Sequence, residues 1–163
     1  MAKAAKSIPK CSGAKMEREI DYLATRDPLT SLLNRYSFEQ RLNLILETSS
    51  ESDHHMVYYL DLDLDQFKVI NDTCGHLAGD KMIKEIAEIL SKTVRTNDTL
   101  ARLGGDEFGL LLENCSVEKA GELGNSICNR VRAFHFHWEN SSFLTSVSIG
   151  MVPITADTKS RMN

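Results

Sequence analysis

The sequence lacks the cysteine spacing of a disulfide framework or a zinc site. Its four cysteines, Cys11, Cys74, Cys115 and Cys128, include no Cys-x-x-Cys pair, and we interpret them as reduced thiols of a cytosolic protein. A membrane span is also missing, because no apolar run approaches the roughly 18 residues that one needs. No apolar stretch typical of a secretion signal opens the chain. We expect a cytoplasmic chain without membrane contact of its own, within a full-length protein that could be membrane-anchored.

A basic surplus is absent too. The 163 residues contain 19 Lys and Arg against 23 Asp and Glu, a net charge of -4, which argues against a general binder of nucleic-acid polymers. A composition of 42% hydrophobic and 26% charged residues fits one globular domain with a short extension. We predict a tail and linker helix over 1–26 and a single domain over 27–163.

The apolar pattern predicts helices and strands in mixed order. Amphipathic periodicity favours helices, and dense apolar runs favour strands. Because several strands come as adjacent pairs, the pattern predicts an α+β domain with a mostly antiparallel or mixed central sheet flanked by helices. The predicted helices are 16–26, 37–47, 67–73, 78–94 and 116–134, with Ser116 as an N-cap, and the predicted strands are 56–62, 100–103, 108–112, 134–138 and 143–152.

Two of these strands flank Gly104-Gly105-Asp106-Glu107. A glycine pair between apolar runs predicts a hairpin, because glycine adopts the positive φ that a tight turn requires. Asp alone at such a tip is ordinary turn chemistry. Adjacent acids such as Asp106 and Glu107 are less common at a hairpin tip. They favour a functional site only if a second acidic cluster lies close to them in the fold.

That cluster follows the predicted strand 56–62. Asp61, Asp63 and Asp65 alternate, so those in extended backbone share one face. Solvated acids at a strand end are one interpretation. An EF-hand loop is excluded, because Gln66 stands where the loop needs glycine and Asp72 where it needs a bidentate Glu. Carboxylates from two strands favour a site for Mg²⁺, which completes its octahedron with water and substrate phosphates.

Other candidates are weaker. The pairs His54-His55 and His135-x-His137 have no third ligand placed to join them, and we interpret them as strand-face residues. We assign the aromatic side chains near the second pair to packing rather than base stacking. These aromatic residues are Phe134, Phe136 and Trp138.

The stretch from Arg102 to Phe108 resembles the signature of the GGDEF family, the diguanylate cyclases. Four further blocks resemble the family in order and spacing, from Asp27 to about Pro153. They are Asp27-Pro28-Leu29-Thr30 with Asn34-Arg35, Asp63-Leu64-Asp65-Gln66-Phe67-Lys68, Ile70-Asn71-Asp72-Thr73 with Gly75-His76 and Gly79-Asp80, and Ser146-Val147-Ser148-Ile149-Gly150. The resemblance implies a palm-like fold as in nucleotidyl cyclases.

It also implies roles for individual residues. Asp63 and Asp106 would ligate Mg²⁺ or Mn²⁺, assisted by the backbone carbonyl of Leu64. Glu107 would ligate a second metal ion or help to deprotonate the attacking 3′-hydroxyl, which makes Asp106 and Glu107 the implied catalytic pair.

The implied substrate-binding group lies in the two middle blocks. Asn71 and Asp80 would hydrogen-bond the guanine edge. Lys68 and the backbone amides near Gln66 and Phe67 would hold the terminal phosphates, and His76 belongs to the same group.

The implied reaction condenses two GTP molecules into cyclic di-GMP with release of pyrophosphate. Each domain would hold one GTP, so catalysis would require a homodimer. Arg95-Thr96-Asn97-Asp98 resembles the family's Arg-x-x-Asp inhibitory site, at which Arg95 and Asp98 would bind the product. Sensor or EAL-type domains are expected elsewhere in the full protein.

Two departures from the family pattern leave an alternative open. An extra Asp-Leu, which includes Asp61, precedes the metal block. The chain also ends at Asn163, before the C-terminal helix and last strand that the family has. The alternative is a non-catalytic module that binds GTP or cyclic di-GMP and controls an attached phosphodiesterase domain. A purely structural domain is disfavoured by the intact acids.

Overall fold

The computed structural model describes residues 12–48, 56–155 and 157–158. These ranges form five helices and six strands. In chain order they are α1 (Ser12–Thr25), α2 (Arg35–Thr48), β1 (Val57–Leu64), α3 (Phe67–Cys74), α4 (His76–Thr93), β2 (Thr99–Gly104), β3 (Glu107–Leu112), α5 (Val117–Ala133), β4 (His135–Trp138), β5 (Ser141–Leu144) and β6 (Val147–Ile154).

Four of the strands form the main sheet in the order β2-β3-β1-β6. Every pairing in it is antiparallel. The predicted α+β fold with a mostly antiparallel sheet is confirmed. Strand β1 lies between two partners, so side chains at its end face neighbours on both sides.

The sheet separates two layers of helices. On one face, Leu60 and Leu62 of β1 are buried with Met82 and Ile86 of α4, in the larger core. On the other face, α2 buries Phe38 and its apolar neighbours against β1, β2 and β3 in a smaller core. Because α2 covers only the first part of β1, the acidic end of that strand stays open on this face.

Two helix starts are fixed by local capping. The Ser116 hydroxyl accepts a hydrogen bond from the Lys119 amide at 3.3 Å, which confirms the predicted N-cap of α5. The Asn34 side-chain oxygen accepts from the Ser37 amide at 2.9 Å and caps α2 in the same manner.

The prediction of one strand over 143–152 is wrong. The segment divides into β5, which pairs with β4, and β6, which pairs with β1. Phe143 packs against Phe136 of the small hairpin, and Thr145 is buried at the division. Burial in two separate sheets breaks a pattern that is continuous in the sequence.

Of the weaker candidates, His135 and His137 lie on the exposed face of β4. Phe134, Phe136 and Trp138 pack into the larger core. The His54-His55 pair lies outside the described residues. No helix in the described part of the chain is long and apolar enough to cross a membrane.

Candidate active site

The turn between β2 and β3 carries the central acids. Gly104 and Gly105 have φ values of 151° and 46°, so the predicted use of glycine at positive φ is confirmed. The ladder shifts register between Arg102 and Gly104, and Gly104 then pairs with Glu107. This bulge leaves Gly105 and Asp106 at the tip.

Arg102 stabilises this turn through its guanidinium. Its guanidinium donates to the Gly105 carbonyl at 2.8 and 3.1 Å and forms an ion pair with Asp27 at 3.3 Å. Asp27 also accepts from the amide and hydroxyl of Thr30. The block that begins at Asp27 therefore stabilises the tip of the β2–β3 turn. Because Asp27 and Arg102 are 75 residues apart in the sequence, no local pattern predicts this role.

The structure brings the predicted metal group together. Asp63 of β1 lies directly opposite Glu107 of β3, and the Leu64 amide donates to the Asp106 carbonyl at 3.2 Å. Asp61 lies two residues back on the same face of β1, opposite Gly109. We refer to Asp61, Asp63, Asp106 and Glu107 as the acid group.

Burial and the mutual repulsion of the carboxylates raise the pKa of two members of the acid group. Burial, followed by the charges of Asp61, Asp106 and Asp65, raises the pKa of Asp63. Burial, contact with the Asp61 carboxyl and the charge of Asp63 raise the pKa of Glu107. The folded chain therefore holds negative charge here at a cost that a bound cation would relieve.

The pKa of the neighbouring Tyr59 hydroxyl is raised as well. Burial, assisted by Asp61 and Glu107, raises the pKa of Tyr59 to about 12. Tyr59 packs against Phe38 with ring centroids 5.6 Å apart, so the apolar side of α2 closes one edge of the acid group.

The acid group fits a magnesium ion that takes further ligands from the phosphates of a substrate. One oxygen of the Asp61 carboxylate is buried without a hydrogen-bond partner, a state that a cation or its water would relieve. Among the described residues, no three His, Cys, Asp or Glu side chains are already grouped as a complete metal site. Mg²⁺ needs only one or two carboxylates when substrate phosphates supply further ligands.

Asp65 has a different role from its neighbours. Its carboxylate accepts hydrogen bonds from the hydroxyls of Ser146 and Ser148 on the β6 side, and its amide donates to the Ser146 carbonyl at 3.0 Å. These hydroxyl donors lower the pKa of Asp65. Asp65 thus fastens the end of β1 to β6.

Removing both hydroxyls, in Ser146→Ala with Ser148→Ala, is expected to destabilise the fold in a pH-dependent way. A carboxylate whose pKa is lowered by folding contributes stability above its ordinary pKa of about 3.9, and this is lost as the pH falls through the folded value. The destabilisation should therefore be largest at neutral pH and shrink in acid. Urea unfolding at several pH values measures it, and exposed Ser91→Ala on α4 is the control. A pH-independent difference would contradict the assignment.

A second cluster lies between α3 and α4. Asn71 of α3 has a buried side-chain oxygen without a partner, and Gly79 of α4 is buried beside it. A Cβ at Gly79 would lie 1.8 Å from that oxygen and 3.2 Å from the Phe67 ring. Only a residue without a side chain lets Asn71 take this position.

The remaining predicted substrate-binding residues lie around this cluster. Asp80 and His76 are exposed in the first turns of α4, and Gln66 and Lys68 are exposed at the start of α3. Phe67 is half-buried against the larger core. The first amides of α3 have no acceptor within their helix, which suits them to an anion.

The predicted inhibitory pair is formed at the other end of β2. The backbone amide and guanidinium of Arg95 donate to Asp98 at 2.8, 2.9 and 3.2 Å. The Asp98 side chain is fully enclosed, whereas the Arg95 side chain is 49% exposed. Asp98 therefore orients Arg95.

Arg35 also contacts the β2–β3 turn, a role that its local sequence does not predict. Its Nε donates to the Leu103 carbonyl at 3.0 Å, and its guanidinium lies 4.0 Å from the Glu107 carboxylate. This charge opposes the rise in the pKa of Glu107. The only sequence signal was its place in the Asn34-Arg35 block.

Comparison with known proteins agrees with this geometry. The chain is 44% identical over 142 residues, 86% of its length, to "Probable diguanylate cyclase DgcE" of Escherichia coli K12, of which it spans 13%. It is 36% identical over 155 residues, 95% of its length, to the bifunctional diguanylate cyclase/cyclic di-GMP phosphodiesterase MucR of Pseudomonas aeruginosa, of which it spans 22%.

A solved structure shows the same fold. The GGDEF domain of DgcB from Caulobacter crescentus, in complex with c-di-GMP, superimposes with a TM-score of 0.76 at 27% identity, over 82% of this chain and 80% of that one. The sequence model for the diguanylate cyclase GGDEF domain matches residues 24–163. The chain therefore belongs to the GGDEF family.

Proposed function

We propose that this chain is a diguanylate cyclase domain that condenses two GTP molecules into cyclic di-GMP and pyrophosphate. The observation that carries the proposal is the register of β1 and β3, which sets Asp63 opposite Glu107 and beside Asp106. Asp63 belongs to β1 and Glu107 to β3, so these two carboxylates come together only in the folded chain.

In this proposal the acid group positions the triphosphate and handles the proton. Mg²⁺ or Mn²⁺, when bound, supplies charge neutralisation for the phosphates. Asp63, Asp106 and the Leu64 carbonyl would hold the ion. Glu107, whose raised pKa favours proton uptake, would accept the proton of the 3′-hydroxyl.

The bond changes follow from that arrangement. The 3′-oxygen of one GTP forms a bond to the α-phosphorus of the other, and the bond from that phosphorus to the bridging oxygen breaks. Pyrophosphate leaves. The same exchange in the opposite direction closes the ring, so two domains must face each other as a homodimer.

Selectivity for guanine is assigned to the cluster between α3 and α4. The buried, unpartnered oxygen of Asn71 and the exposed carboxylate of Asp80 are acceptors, which match the N1 and N2 donors of guanine. Adenine presents no such donors at these positions. Lys68 and the free amides near Gln66 and Phe67 would bind the phosphates, with His76 at the same rim.

The test is incubation of the purified chain with GTP and Mg²⁺, with nucleotides separated by chromatography. Formation of cyclic di-GMP, absent with ATP and absent after chelation of the metal ion, is the expected result. Binding of GTP without product would contradict the enzyme proposal and favour a regulatory module. MucR, to which the chain is similar, is named for both cyclase and phosphodiesterase activities. In this alternative, the regulatory module would control an attached phosphodiesterase domain.

A further inference from the structure

One positively charged side chain faces the acid group. The guanidinium of Arg35 lies with its Nη2 atom 4.0 Å from a carboxylate oxygen of Glu107. Within the described ranges of the chain, this is the only ion pair that a member of the acid group forms. The protein therefore places a single cation beside four carboxylates, and that cation belongs to helix α2.

The side chain of Arg35 spans the hairpin just below its tip. Its Nε donates to the carbonyl of Leu103 at 3.0 Å, and Leu103 precedes Gly104 in β2. The other end of the same guanidinium reaches Glu107, the first residue of β3. Because Leu103 and Glu107 flank the tip, one planar group contacts both strands where the turn begins and ends.

Arg102 acts on a different part of the turn. Its guanidinium donates to the Gly105 carbonyl and pairs with Asp27. These contacts stabilise the backbone of the tip and leave the carboxylates of the acid group without a partner. Arg35 is the arginine that pairs with a carboxylate of the proposed active site.

Local helix chemistry does not explain an arginine at this position. Arg35 is the first residue of α2, where the helix macrodipole favours negative side chains over positive ones. Its contact with Glu39 one turn later is 3.7 Å long, and both side chains are more than half exposed, so this pair contributes little stability. The contacts with the hairpin are what a positive side chain gains here.

The charge of Arg35 acts on two separate groups. At Glu107 it opposes burial and the neighbouring acids, which raise the pKa of that carboxyl. At Tyr59 it opposes burial and the same acids, which raise the pKa of the phenol. Tyr59 shares one face of β1 with Asp61 and Asp63. The guanidinium therefore offsets part of the negative charge along this face.

We propose that Arg35 is a positioning residue, which holds the Glu107 carboxylate against the β2–β3 turn and offsets part of the charge that attracts the metal ion. The inference rests on the proposed function, in which Glu107 accepts the proton of the 3′-hydroxyl. A carboxylate held from one side meets that proton in one orientation. Arg35 acts through Glu107 and does not itself contact GTP.

Loss of the guanidinium has two consequences of opposite sign. Glu107 becomes free to turn away, which slows turnover. The acid group also gains net negative charge, which strengthens the binding of a divalent cation. A side chain that only supported the fold would act differently, because a loosened turn would separate Glu107 and Asp106 from Asp63 and weaken cation binding.

Arg35→Gln is expected to bind Mn²⁺ about threefold more tightly, in keeping with the loss of one exposed charge. It should lower kcat about tenfold with an unchanged KM for GTP. The Mn²⁺ titration uses 3′-deoxy-GTP, which lacks the attacking hydroxyl and cannot turn over. Arg35→Lys keeps the charge but cannot contact Leu103 and Glu107 together. It should bind Mn²⁺ like the wild type and recover only part of the rate.

The matched control is Arg41→Gln on the same helix. The Arg41 guanidinium pairs with Glu113 at 2.8 Å, beyond the end of β3 that lies away from Glu107. This change removes the same charge and a contact between α2 and its neighbours, but far from the acid group. Its Mn²⁺ affinity and initial rate should match the wild type. Thermal unfolding compares the loss of stability in all three variants.

The results separate this inference from the proposed function. Equal behaviour of Arg35→Gln and Arg35→Lys, with Mn²⁺ binding unchanged or weaker, would overturn the inference, as would a wild type that binds no Mn²⁺ with 3′-deoxy-GTP. A wild type that binds the ion but forms no cyclic di-GMP contradicts the proposed function, while tighter Mn²⁺ binding by Arg35→Gln alone still supports Arg35 as the residue that offsets the acid group. Turnover at the wild-type rate in Arg35→Gln overturns the positioning role and leaves the proposed function standing.

Discussion

Asp106→Asn is expected to lower the rate of cyclic di-GMP formation by about a thousandfold, which corresponds to about 4 kcal/mol of transition-state stabilisation. The side chain lies at the tip beside Asp63, where the acid group concentrates negative charge for a metal ion and its phosphates. The amide keeps the size but removes the charge, so the turn should be retained. Initial rates under saturating GTP and Mg²⁺ measure the effect.

The matched control for this change is Asp21→Asn on exposed α1, which alters the same charge away from the site. It should keep the full rate. A second measurement, the titration of Mn²⁺ in the presence of GTP, should show weaker metal binding in Asp106→Asn. Full turnover by that variant would overturn the assignment of Asp106 and with it the cyclase mechanism proposed above.

Gly79→Ala is expected to weaken GTP binding by about tenfold or more, as the loss of a hydrogen bond to a buried group costs about 1–3 kcal/mol. The new Cβ would lie 1.8 Å from the Asn71 side-chain oxygen and 2.9 Å from its Cγ. Asn71 must therefore rotate away from the position in which its buried oxygen awaits a donor. Calorimetric titration with GTP measures the loss.

Gly121→Ala is the control for the same change in a helix. Gly121 lies in α5, and a Cβ there would meet nothing within 4 Å. It should leave GTP affinity unchanged and raise the free energy of unfolding by roughly 0.5–1 kcal/mol, because alanine favours the helix. Equal GTP affinity in both variants would show that Asn71 does not contact the base.

The hairpin of β2 and β3 could be predicted from local sequence alone. Gly104 and Gly105 specify the turn, and the apolar runs beside them specify strands, so Asp106 and Glu107 had to lie near a tip. That Asp63 would face them required the pairing of β1 with β3. The spacing of acids suggested this pairing, and the family resemblance strengthened it.

Other features depended on contacts distant in sequence. Arg41 meets Glu113 across 72 positions, and Arg102 meets Asp27 across 75, so no local pattern links either pair. The division of 143–152 into β5 and β6 follows from burial in two sheets. Asp61, which belongs to the extra Asp-Leu before the metal block, adds to burial in raising the pKa of Glu107, an effect that depends on the pairing of β1 with β3.

Helix α2 is bound to the sheet by the smaller of the two cores, which has eight buried residues against twenty-one in the larger among those described. Less apolar burial means a lower free energy of local unfolding. Helix α2 is thus expected to open at lower cost than the helices of the larger core. Its first residue, Arg35, donates to Leu103 beside the β2–β3 turn, and its second turn carries Arg41, which pairs with Glu113. Transient detachment of this helix would break the Arg35–Leu103 hydrogen bond and the Arg41–Glu113 ion pair together, so the rigidity of the candidate site has a limit set by α2.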